Sequence, residues 1–556
     1  MSPFSAPSNP LPERPGPAFT IGHLLLLSVV VLATVIGYRP DEFHFTSDET
    51  RHAVTGLFFR DALADRPLAN AKQYVYEYYA KYPALGIPHW PPFYYFVEGL
   101  FFLLFGISLL SARLSILLFA LLAAYFWQRI AAAQGPPHRA WFAALIFPLV
   151  PYIIVYQRSV MLEMPYLALA LAAIYFWLRF LDTQRSLYVW LVAGFAALAF
   201  LTSQKALFLP VLVGLHFLME RKFRLLKRWD VWAALALAAL FIVPWYLYTF
   251  RTLSLSYQRV IGESSEYLSV LPVLTYYLDR LPWQMGGVLF CLCIPGILWA
   301  LARAPRQHRF FLLWVLSCYV TFTWVREKDL RHTMIWIPPL VYFSLLAVEA
   351  LFARRRWALL ACGGLAAWLF VGALQVDRSR RVGVEAAAQW VTSQQESDVL
   401  YYQGALNGNF IFWVRKYDPE KRRLVAREKQ LVATQIVQGY GQREVLKTSD
   451  EILNFFRTWG IRYALVENRE VIAELAPARR LFRSAHFELV KTFPVEDNFP
   501  VGVEGPQRRD GDLKILVYRY RGPIQRSPHG VSIPMLTLRS DIPIRLERLA
   551  GRPWPN

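Results

Sequence analysis

The sequence of 556 residues is poor in charged side chains. They make up 18% of the chain, whereas soluble domains usually carry about 25%. Hydrophobic residues make up 55% and aromatic residues 16%, which excludes disordered, collagen-like and coiled-coil proteins. The mean hydropathy is only mildly positive, at +0.29. The composition therefore indicates a membrane protein with an additional soluble part.

Cysteine is also scarce, and all four cysteines lie within apolar runs, as packing residues do. The sequence contains neither an HExxH motif nor a CxxC pair, so no metal site is evident from its motifs. The net charge of +20 would suggest nucleic-acid binding in a soluble protein. In a membrane protein it can instead mark cytoplasmic loops, and we expect no nucleic-acid partner.

Long apolar runs fill the first two thirds of the chain. A helix needs about 20 such residues to cross the hydrocarbon of a bilayer. Twelve candidate runs occur before residue 377, and none after it: 20–38, 93–110, 112–128, 141–157, 160–178, 188–203, 206–219, 231–250, 286–302, 310–325, 333–352 and 357–376. The sequence therefore predicts a polytopic α-helical membrane domain over 20–376, preceded by a disordered cytoplasmic tail over 1–19.

Three basic clusters, at 221–228, 303–309 and 354–356, set the expected orientation. Cytoplasmic loops carry an excess of Lys and Arg, so these clusters should lie inside. Counting crossings outward places the loop 39–92 and everything after residue 377 on the external face. The N-terminus is expected inside and the C-terminal domain outside, so the number of crossings should be odd. We expect 93–110, interrupted by Glu98 and Gly106, not to cross fully, which gives about 11 crossings, or 13 with one hidden crossing.

The residues from 377 to 556 have the pattern of a soluble α/β domain. Helices are predicted at 384–392, 407–416 and 450–459, and strands near 398–404, 461–467, 486–494 and 512–521. Units of this size suggest a small open sheet with helices, on the external face. The segment 523–556 is rich in Pro and Arg and should be extended or poorly ordered.

The first external loop, 39–92, is too long and too charged for a simple connector. From Ser47 the pattern predicts an amphipathic helix at the membrane surface, with Asp48 and Glu49 in its first turn. These acids either only complement the helix dipole, or one of them is a general base at the lip of a membrane cavity. Arg51, one turn after Asp48, would then position a leaving group.

Several cations fall at the expected external ends of helices, among them Arg158, Lys205 and Arg331. Together they would attract an anionic head group and stabilise a departing phosphate. Each one taken alone is also explained by snorkelling towards lipid head groups. Glu163 has two open roles, which are pairing with Arg158 five residues away and contacting an acceptor.

These motifs, in their order along the chain, resemble those of the GT-C glycosyltransferases. The nearest branch is that of the protein O-mannosyltransferases and the lipid A aminoarabinose transferases (glycosyltransferase families 39 and 83). The resemblance covers roughly residues 20–376 and rests on Asp48-Glu49-Thr50-Arg51-His52, Pro91-Pro92, Ser111-Ala112-Arg113-Leu114, Arg158 to Pro165, Leu201 to Lys205, Pro244-Trp245, Arg331-His332 and Pro338-Pro339.

The resemblance implies a GT-C fold and an inverting transfer of a hexosyl or pentosyl group on the external membrane face. The donor would be a polyprenyl-phosphate-linked sugar, and the acceptor a hydroxyl or phosphate on a lipid, glycan or protein. The catalytic residues would be Asp48 and Glu49, and those contacting the donor phosphate Arg51, His89, Arg158, Lys205 and Arg331. His52 and Glu163 would lie near the acceptor, or near an Mg²⁺ or Mn²⁺ ion held by Asp48 and Glu163. The implied location is the bacterial inner membrane, with the C-terminal domain in the periplasm.

Three positions depart from the family pattern. Trp90, preceded by His89, stands where many relatives have Lys before Pro-Pro, which leaves the donor contact open. Glu163 replaces an Asp, and His52 replaces a Tyr of the lipid A branch. Two other function classes remain alternatives. A transporter or channel with an external sensor domain should show an inverted repeat. An undecaprenyl-diphosphate-dependent polysaccharide ligase or polymerase should have a large late external loop, where this chain has only 326–332.

Overall fold

The structure is a computed structural model that carries all side chains of the residues it describes. The predicted tail at 1–19 lies outside these residues. The described residues are 21–43, 47–262, 270–325, 328–352, 354–375, 380–404, 406–428, 446, 448–468, 476–497, 513–527, 531–535 and 540–544.

Each of the twelve apolar runs coincides with helical structure. The helices up to residue 375 are α1 (Ile21–Val35), α2 (Ser47–Asp65), α3 (Ala71–Lys81), α4 (Phe93–Phe105), α5 (Leu109–Gln134), α6 (Pro137–Ile146), α7 (Pro151–Arg158), α8 (Glu163–Thr183), α9 (Ser186–Phe200), α10 (Phe208–Glu220), α11 (Trp229–Gly262), α12 (Val270–Asp279), α13 (Leu281–Met285), α14 (Gly287–Arg303), α15 (Pro305–Thr323), α16 (Ile337–Leu351) and α17 (Arg355–Gln375). Prolines open α6, α15 and α16, where their missing N–H costs nothing.

Within the described residues, five helices are long and apolar enough to cross a membrane. They are α5, α8, α11 up to Arg251, α17, and α16 together with the 3-10 helix Leu330–Trp336 that precedes it. A sixth span would be the bent pair Pro137–Leu149 and Pro151–Arg158, whose parts meet at 61°. Helices α1, α4, α9 and α14 are apolar but shorter. The chain is an integral membrane protein, and the number of crossings stays a prediction.

Helix α4 is the run that we expected not to cross fully. Its 13 residues cover about 20 Å, less than the roughly 30 Å of hydrocarbon. Its Glu98 is buried and packs on Gly56 of α2, where a Cβ would clash with the carboxylate. Close packing of this kind, through a glycine, recurs between α14 and α16, where a Cβ at Gly296 would clash with the Phe343 carbonyl.

Helix α2 begins at Ser47, as predicted, but it differs from a helix at the membrane surface. Its apolar residues Val54 and Leu57 are buried, and so are its polar residues Glu49, His52 and Asp61. The reason is that α4 covers one side of α2, and the helix Asn407–Lys416 of the C-terminal domain covers another.

The C-terminal residues form the expected sheet with helices. The strands are β1 (Arg381–Val382), β2 (Val399–Gln403), β3 (Leu424–Arg427), β4 (Ile461–Glu467), β5 (Phe487–Pro494), β6 (Glu496–Asp497), β7 (Lys514–Tyr520), β8 (Val531–Met535) and β9 (Ser540–Ile544), and the helices are α18 (Val384–Thr392), α19 (Asn407–Lys416), α20 (Ser449–Trp459) and α21 (Ala476–Phe482). All predicted helices and strands of this part are confirmed, whereas the strands β1, β3, β6, β8 and β9 and the helix α21 were not predicted. The described part of 523–556 contains the hairpin of β8 and β9, which agrees with an extended segment.

The main sheet has the order β3-β2-β4-β7-β5. Strands β3, β2 and β4 are parallel, and β7 and β5 are antiparallel to their neighbours. From β2, the middle one of the three parallel strands, the chain first adds β3 on one side and then β4 on the other. The carboxyl ends of these three strands therefore meet at one edge, with a change of direction at β2.

Helix α19 joins the C-terminal domain to helix α2. The buried Arg415 of α19 donates to both carboxylate oxygens of Asp61 of α2, at 2.6 and 2.7 Å. The Tyr78 hydroxyl also donates to Asp61, at 2.8 Å. Burial alone would raise the pKa of Asp61, but Arg415 holds it below its ordinary value. At the other end of the contact, Gly408 touches Thr50 so closely that a Cβ would clash.

We expect Arg415→Met to destabilise the protein, because it leaves the Asp61 carboxylate buried without its cation. The free energy of unfolding should fall by about 3–5 kcal/mol. The measurement is thermal unfolding of the purified protein in detergent. The control is Lys416→Met, which removes the neighbouring, partly exposed cation paired with Glu385 and should cost about 1 kcal/mol or less. Equal melting temperatures for the two variants would contradict the role of this ion pair.

Candidate active site

Asp48 lies in the first turn of α2 and is held by Arg331. One guanidinium nitrogen of Arg331 donates to Asp48 Oδ2 at 3.0 Å. Arg331 is fixed in turn by Asp329, which accepts from its backbone N–H at 2.8 Å and from its Nε at 2.6 Å. Asp329 is the N-cap of the 3-10 helix that leads into α16, so this turn positions the guanidinium.

A second ion pair lies beside the first. Glu163, the first residue of α8, is buried, and its Oε1 accepts a hydrogen bond from Lys205 Nζ. The same oxygen is 4.0 Å from Nε of Arg331. Lys205 belongs to the 3-10 helix Gln204–Leu207, whose N-cap is Ser203. Glu163 therefore pairs with Lys205, and the pairing with Arg158 that we considered is wrong. Among the described residues, none donates a hydrogen bond to Oε2 of Glu163.

The charges around Asp48 keep it ionised. Burial would raise the pKa of its carboxyl, but the positive groups around it, above all Arg331, outweigh burial and lower it. A carboxylate with a low pKa is present as the anion at neutral pH. Asp48 is therefore in the protonation state that a general base requires.

Glu49 and His52 point to other partners. The Glu49 carboxylate is buried and accepts from the backbone N–H of Val160 at 2.8 Å, so it anchors the turn before α8. His52 is buried, and its Nδ1 shares a hydrogen bond of 2.6 Å with the Tyr95 hydroxyl. Its ring centroid is 4.5 Å from that of Trp90. Burial lowers the pKa of His52 to about 4, so the ring is neutral at pH 7.

The remaining predicted cations fall in different places. Arg51 is half-buried, and no carboxylate among the described residues forms an ion pair with it. His89 is exposed, and its ring centroid is 4.8 Å from that of Trp90. Partial removal from water and the charge of Arg51 lower the pKa of His89. The charges of Asp48 and Arg331 also influence this pKa. Arg51 and His89 thus lie near the Asp48 cluster.

Arg158 lies apart from this cluster. It is buried and donates to the backbone carbonyls of Ala33 at 2.7 Å and Ala373 at 3.1 Å. These carbonyls belong to the last turns of α1 and α17, so Arg158 ties two helix ends together. Its placement does not support a contact with the donor phosphate.

Asp329 was not among the site residues predicted from the sequence, although a signal for it was present. An Asp two residues before Arg331, at the start of a helix, has the position of an N-cap that can also fold back onto the guanidinium. The contacts of the C-terminal domain with α2 were not predicted either. No periodicity in the sequence shows that Gly408 and Arg415 will pack along α2.

The site does not have the form of a metal centre. The part of the chain that the structure describes contains no group of three His, Cys, Asp or Glu side chains suited to an ion. Asp48 and Glu163, which we considered for Mg²⁺ or Mn²⁺, both lie within 4.0 Å of Arg331. The guanidinium therefore bridges these two carboxylates.

His52 should make the fold sensitive to acid. Its pKa is about 4 in the folded protein and about 6.5 in an unfolded chain. Between these values the unfolded chain binds more protons, so the free energy of unfolding falls as the pH is lowered from about 6.5 towards 4. The loss is on the order of 3 kcal/mol, and it is absent above pH 6.5.

This contribution can be measured with His52→Asn, which keeps a hydrogen-bonding side chain but removes the titrating ring. Unfolding is followed by chemical denaturation in one detergent at about pH 7 and pH 5. The variant should lose less stability between the two pH values than the wild type, because all other titrating groups are common to both. The same loss in both proteins would show that His52 is not kept neutral by the fold.

One family model matches part of the chain. Residues 89–248 match the family described as dolichyl-phosphate-mannose-protein mannosyltransferase. The matched segment includes Glu163 and Lys205, while Asp48 and Arg331 lie outside it. A search of curated protein sequences finds no match.

Solved structures share the fold over most of the chain. ArnT from Cupriavidus metallidurans bound to undecaprenyl phosphate has a TM-score of 0.58 at 14% identity, covering 89% of this chain and 97% of that one. An oligosaccharyltransferase from Archaeoglobus fulgidus, tethered to an acceptor peptide, has a TM-score of 0.52 at 10% identity, covering 80% and 68%. The arabinofuranosyltransferase AftD from Mycobacteria has a TM-score of 0.51 at 15% identity, covering 93% and 41%.

At such identities the likeness shows the fold alone, and the fold is the one expected from the sequence. A helical membrane domain is followed by a C-terminal domain with a sheet, as the predicted fold class required. The chain has the fold of the GT-C superfamily of membrane glycosyltransferases.

Proposed function

We propose that the protein is an inverting glycosyltransferase that uses a polyprenyl-phosphate-linked sugar. The observation that carries the proposal is the ionised Asp48, held at 3.0 Å by Arg331 beside the Glu163–Lys205 pair. Support comes from the shared fold with ArnT, which was solved with undecaprenyl phosphate, and from the matching mannosyltransferase family.

In the proposed reaction, Asp48 acts as the general base. Its carboxylate takes the proton of the acceptor hydroxyl, and the acceptor oxygen attacks the anomeric carbon of the donor sugar. The bond from that carbon to the phosphate oxygen breaks, and the polyprenyl phosphate leaves with the electron pair. Attack from the face opposite the leaving group inverts the anomeric centre. An acceptor phosphate would attack in the same way without needing the base.

The cations divide between holding Asp48 and receiving the phosphate. Arg331 and Lys205 already contact carboxylates, so their main effect is to orient Asp48 and Glu163 and to offset the charge of the leaving phosphate. Arg51 has no carboxylate partner among the described residues, so it is the side chain best placed to bind the donor phosphate directly. His89, exposed near Arg51, is a further contact for the donor.

Glu163 is suited to hold the acceptor or the donor sugar. Its Oε2 is buried and accepts no hydrogen bond from the described residues, a state that costs about 1–3 kcal/mol unless a ligand supplies the donor. A sugar hydroxyl would satisfy this oxygen while Lys205 keeps Oε1 in place. The same contact would bring the reacting carbon close to Asp48.

We place this chemistry on the external face of a bacterial inner membrane, with the C-terminal domain in the periplasm. The basic clusters at 221–228, 303–309 and 354–356 favour this orientation. The substrates would be a hexosyl or pentosyl donor and a lipid, glycan or protein acceptor. A transporter is less well supported, because the charged residues form one cluster at neighbouring helix starts, on a fold shared with glycosyltransferases.

Asp48→Asn should reduce transfer by about 10²- to 10⁴-fold, because the amide cannot accept the proton. The measurement is transfer from a panel of polyprenyl-phosphate sugars in membranes containing the variant or the wild type. Asp182→Asn is the matched control, since Asp182 is paired with Arg179 near the other end of α8 from Glu163. Thermal unfolding verifies that both variants are folded. Near-normal transfer by Asp48→Asn would overturn the proposed role of this residue.

A further inference from the structure

Two helices begin side by side next to Asp48. Helices α2 and α19 run in the same direction, because Gly408 touches Thr50 and Arg415 binds Asp61 farther along both helices. Both N-termini therefore lie at the same end of the contact. The N-cap of α19 is Leu406, which provides no side-chain cap for the first backbone N–H groups. The start of a helix carries a partial positive charge and exposes N–H donors, which favours an anion.

The sheet brings a cation to the same place. Arg427 is the last residue of β3 and lies opposite Tyr402 of the parallel strand β2. The next residue, Glu428, accepts from the backbone N–H of Gly404 at 2.8 Å. Gly404 directly follows strand β2, and from there the chain leads into α19. The start of α19 touches Thr50. This edge also holds the change of direction at β2, the part of an open parallel sheet where ligands commonly bind.

Arg427 and Arg51 influence each other electrostatically at this edge. Burial and the charge of Arg51 together lower the pKa of Arg427, whose other electrostatic neighbours are Tyr79 and Glu428. Both arginines are partly accessible to solvent. Arg51 has no carboxylate partner within the described part of the chain. Two guanidinium groups that repel each other near a helix N-terminus are stabilised when an anion binds between them.

We propose that Arg427 of the C-terminal domain joins Arg51 and the N-terminus of α19 to form a phosphate-binding site beside Asp48. The proposal rests on the proposed function, because Arg51 is there a contact for the donor phosphate. The ligand is a phosphate group, carried either by the polyprenyl donor or by a phosphorylated acceptor. The C-terminal domain is then a part of the catalytic centre as well as a cover over it.

The test uses the full-length protein in detergent and two probes, undecaprenyl phosphate and inorganic phosphate. Arg427→Gln should weaken binding of at least one probe by about tenfold to hundredfold, the effect of losing a charge-assisted hydrogen bond. The matched control is Arg521→Gln. Arg521 directly follows β7, which is antiparallel to β4, so it lies at the opposite edge of the same sheet. The binding constants of Arg521→Gln for the two probes should stay within about twofold of those of the wild type.

The two probes separate the two sources of the phosphate. Weaker binding of undecaprenyl phosphate by Arg427→Gln assigns the site to the donor. If Arg427→Gln binds inorganic phosphate more weakly but undecaprenyl phosphate normally, the site is assigned to the acceptor. In either case Arg51→Gln should weaken the same probe. Unchanged binding of both probes by Arg427→Gln, or an effect of Arg51→Gln on the other probe only, overturns the proposal.

The outcome does not depend on transfer activity. Binding of both probes is measured without a sugar, so it can be interpreted even if Asp48→Asn is found to be active. Thermal unfolding without phosphate shows whether Arg427→Gln is folded. If it is not, Arg427→Lys keeps the charge but loses the planar pair of donors, and it should still bind the affected probe several-fold more weakly. Wild-type affinity in a folded Arg427→Lys protein would then count against the site.

Discussion

The buried contact between Arg415 and Asp61 is the interaction on which the rest of the site depends. It is the most buried of the ion pairs between the C-terminal domain and helix α2, and α2 carries Asp48 at its N-terminus. Two charges removed from water are tolerated only with good geometry, and here both carboxylate oxygens are bonded. With one end of α2 held in this way and α4 packed on its side, Asp48 has little freedom to leave Arg331.

The site is built from carboxylates and cations that are placed alternately. Arg331 lies between Asp48, Asp329 and Glu163, while Lys205 binds Glu163 from the other side. Such a network keeps both acids ionised at the edge of a membrane, where an isolated charge would be costly. It also explains the form of the mechanism. The paired cations hold the acids, so we expect direct binding of a phosphate to fall to Arg51, which forms no ion pair with a carboxylate of the described residues.

Much of the fold and part of the site could be predicted, for different physical reasons. Apolar runs and turn residues determine secondary structure locally. All twelve helical runs and strand β2 of the main sheet could therefore be predicted. Arg158 shows the limit of such reasoning. Its position at a helix end suggested a phosphate contact, but its guanidinium is used by the carbonyls of Ala33 and Ala373. Partners so distant in sequence leave no local pattern.

By itself, the sequence determined the division into a helical membrane part and a sheet domain, the helix that begins at Ser47, and the acid in its first turn. These features depend on hydrophobic periodicity and capping, which act over a few residues. Only the tertiary structure decided that Glu163 pairs with Lys205, that α2 is buried, and that Arg427 lies near Arg51. Those outcomes depend on long-range packing, because a buried charge pairs with whichever opposite charge the fold brings within reach.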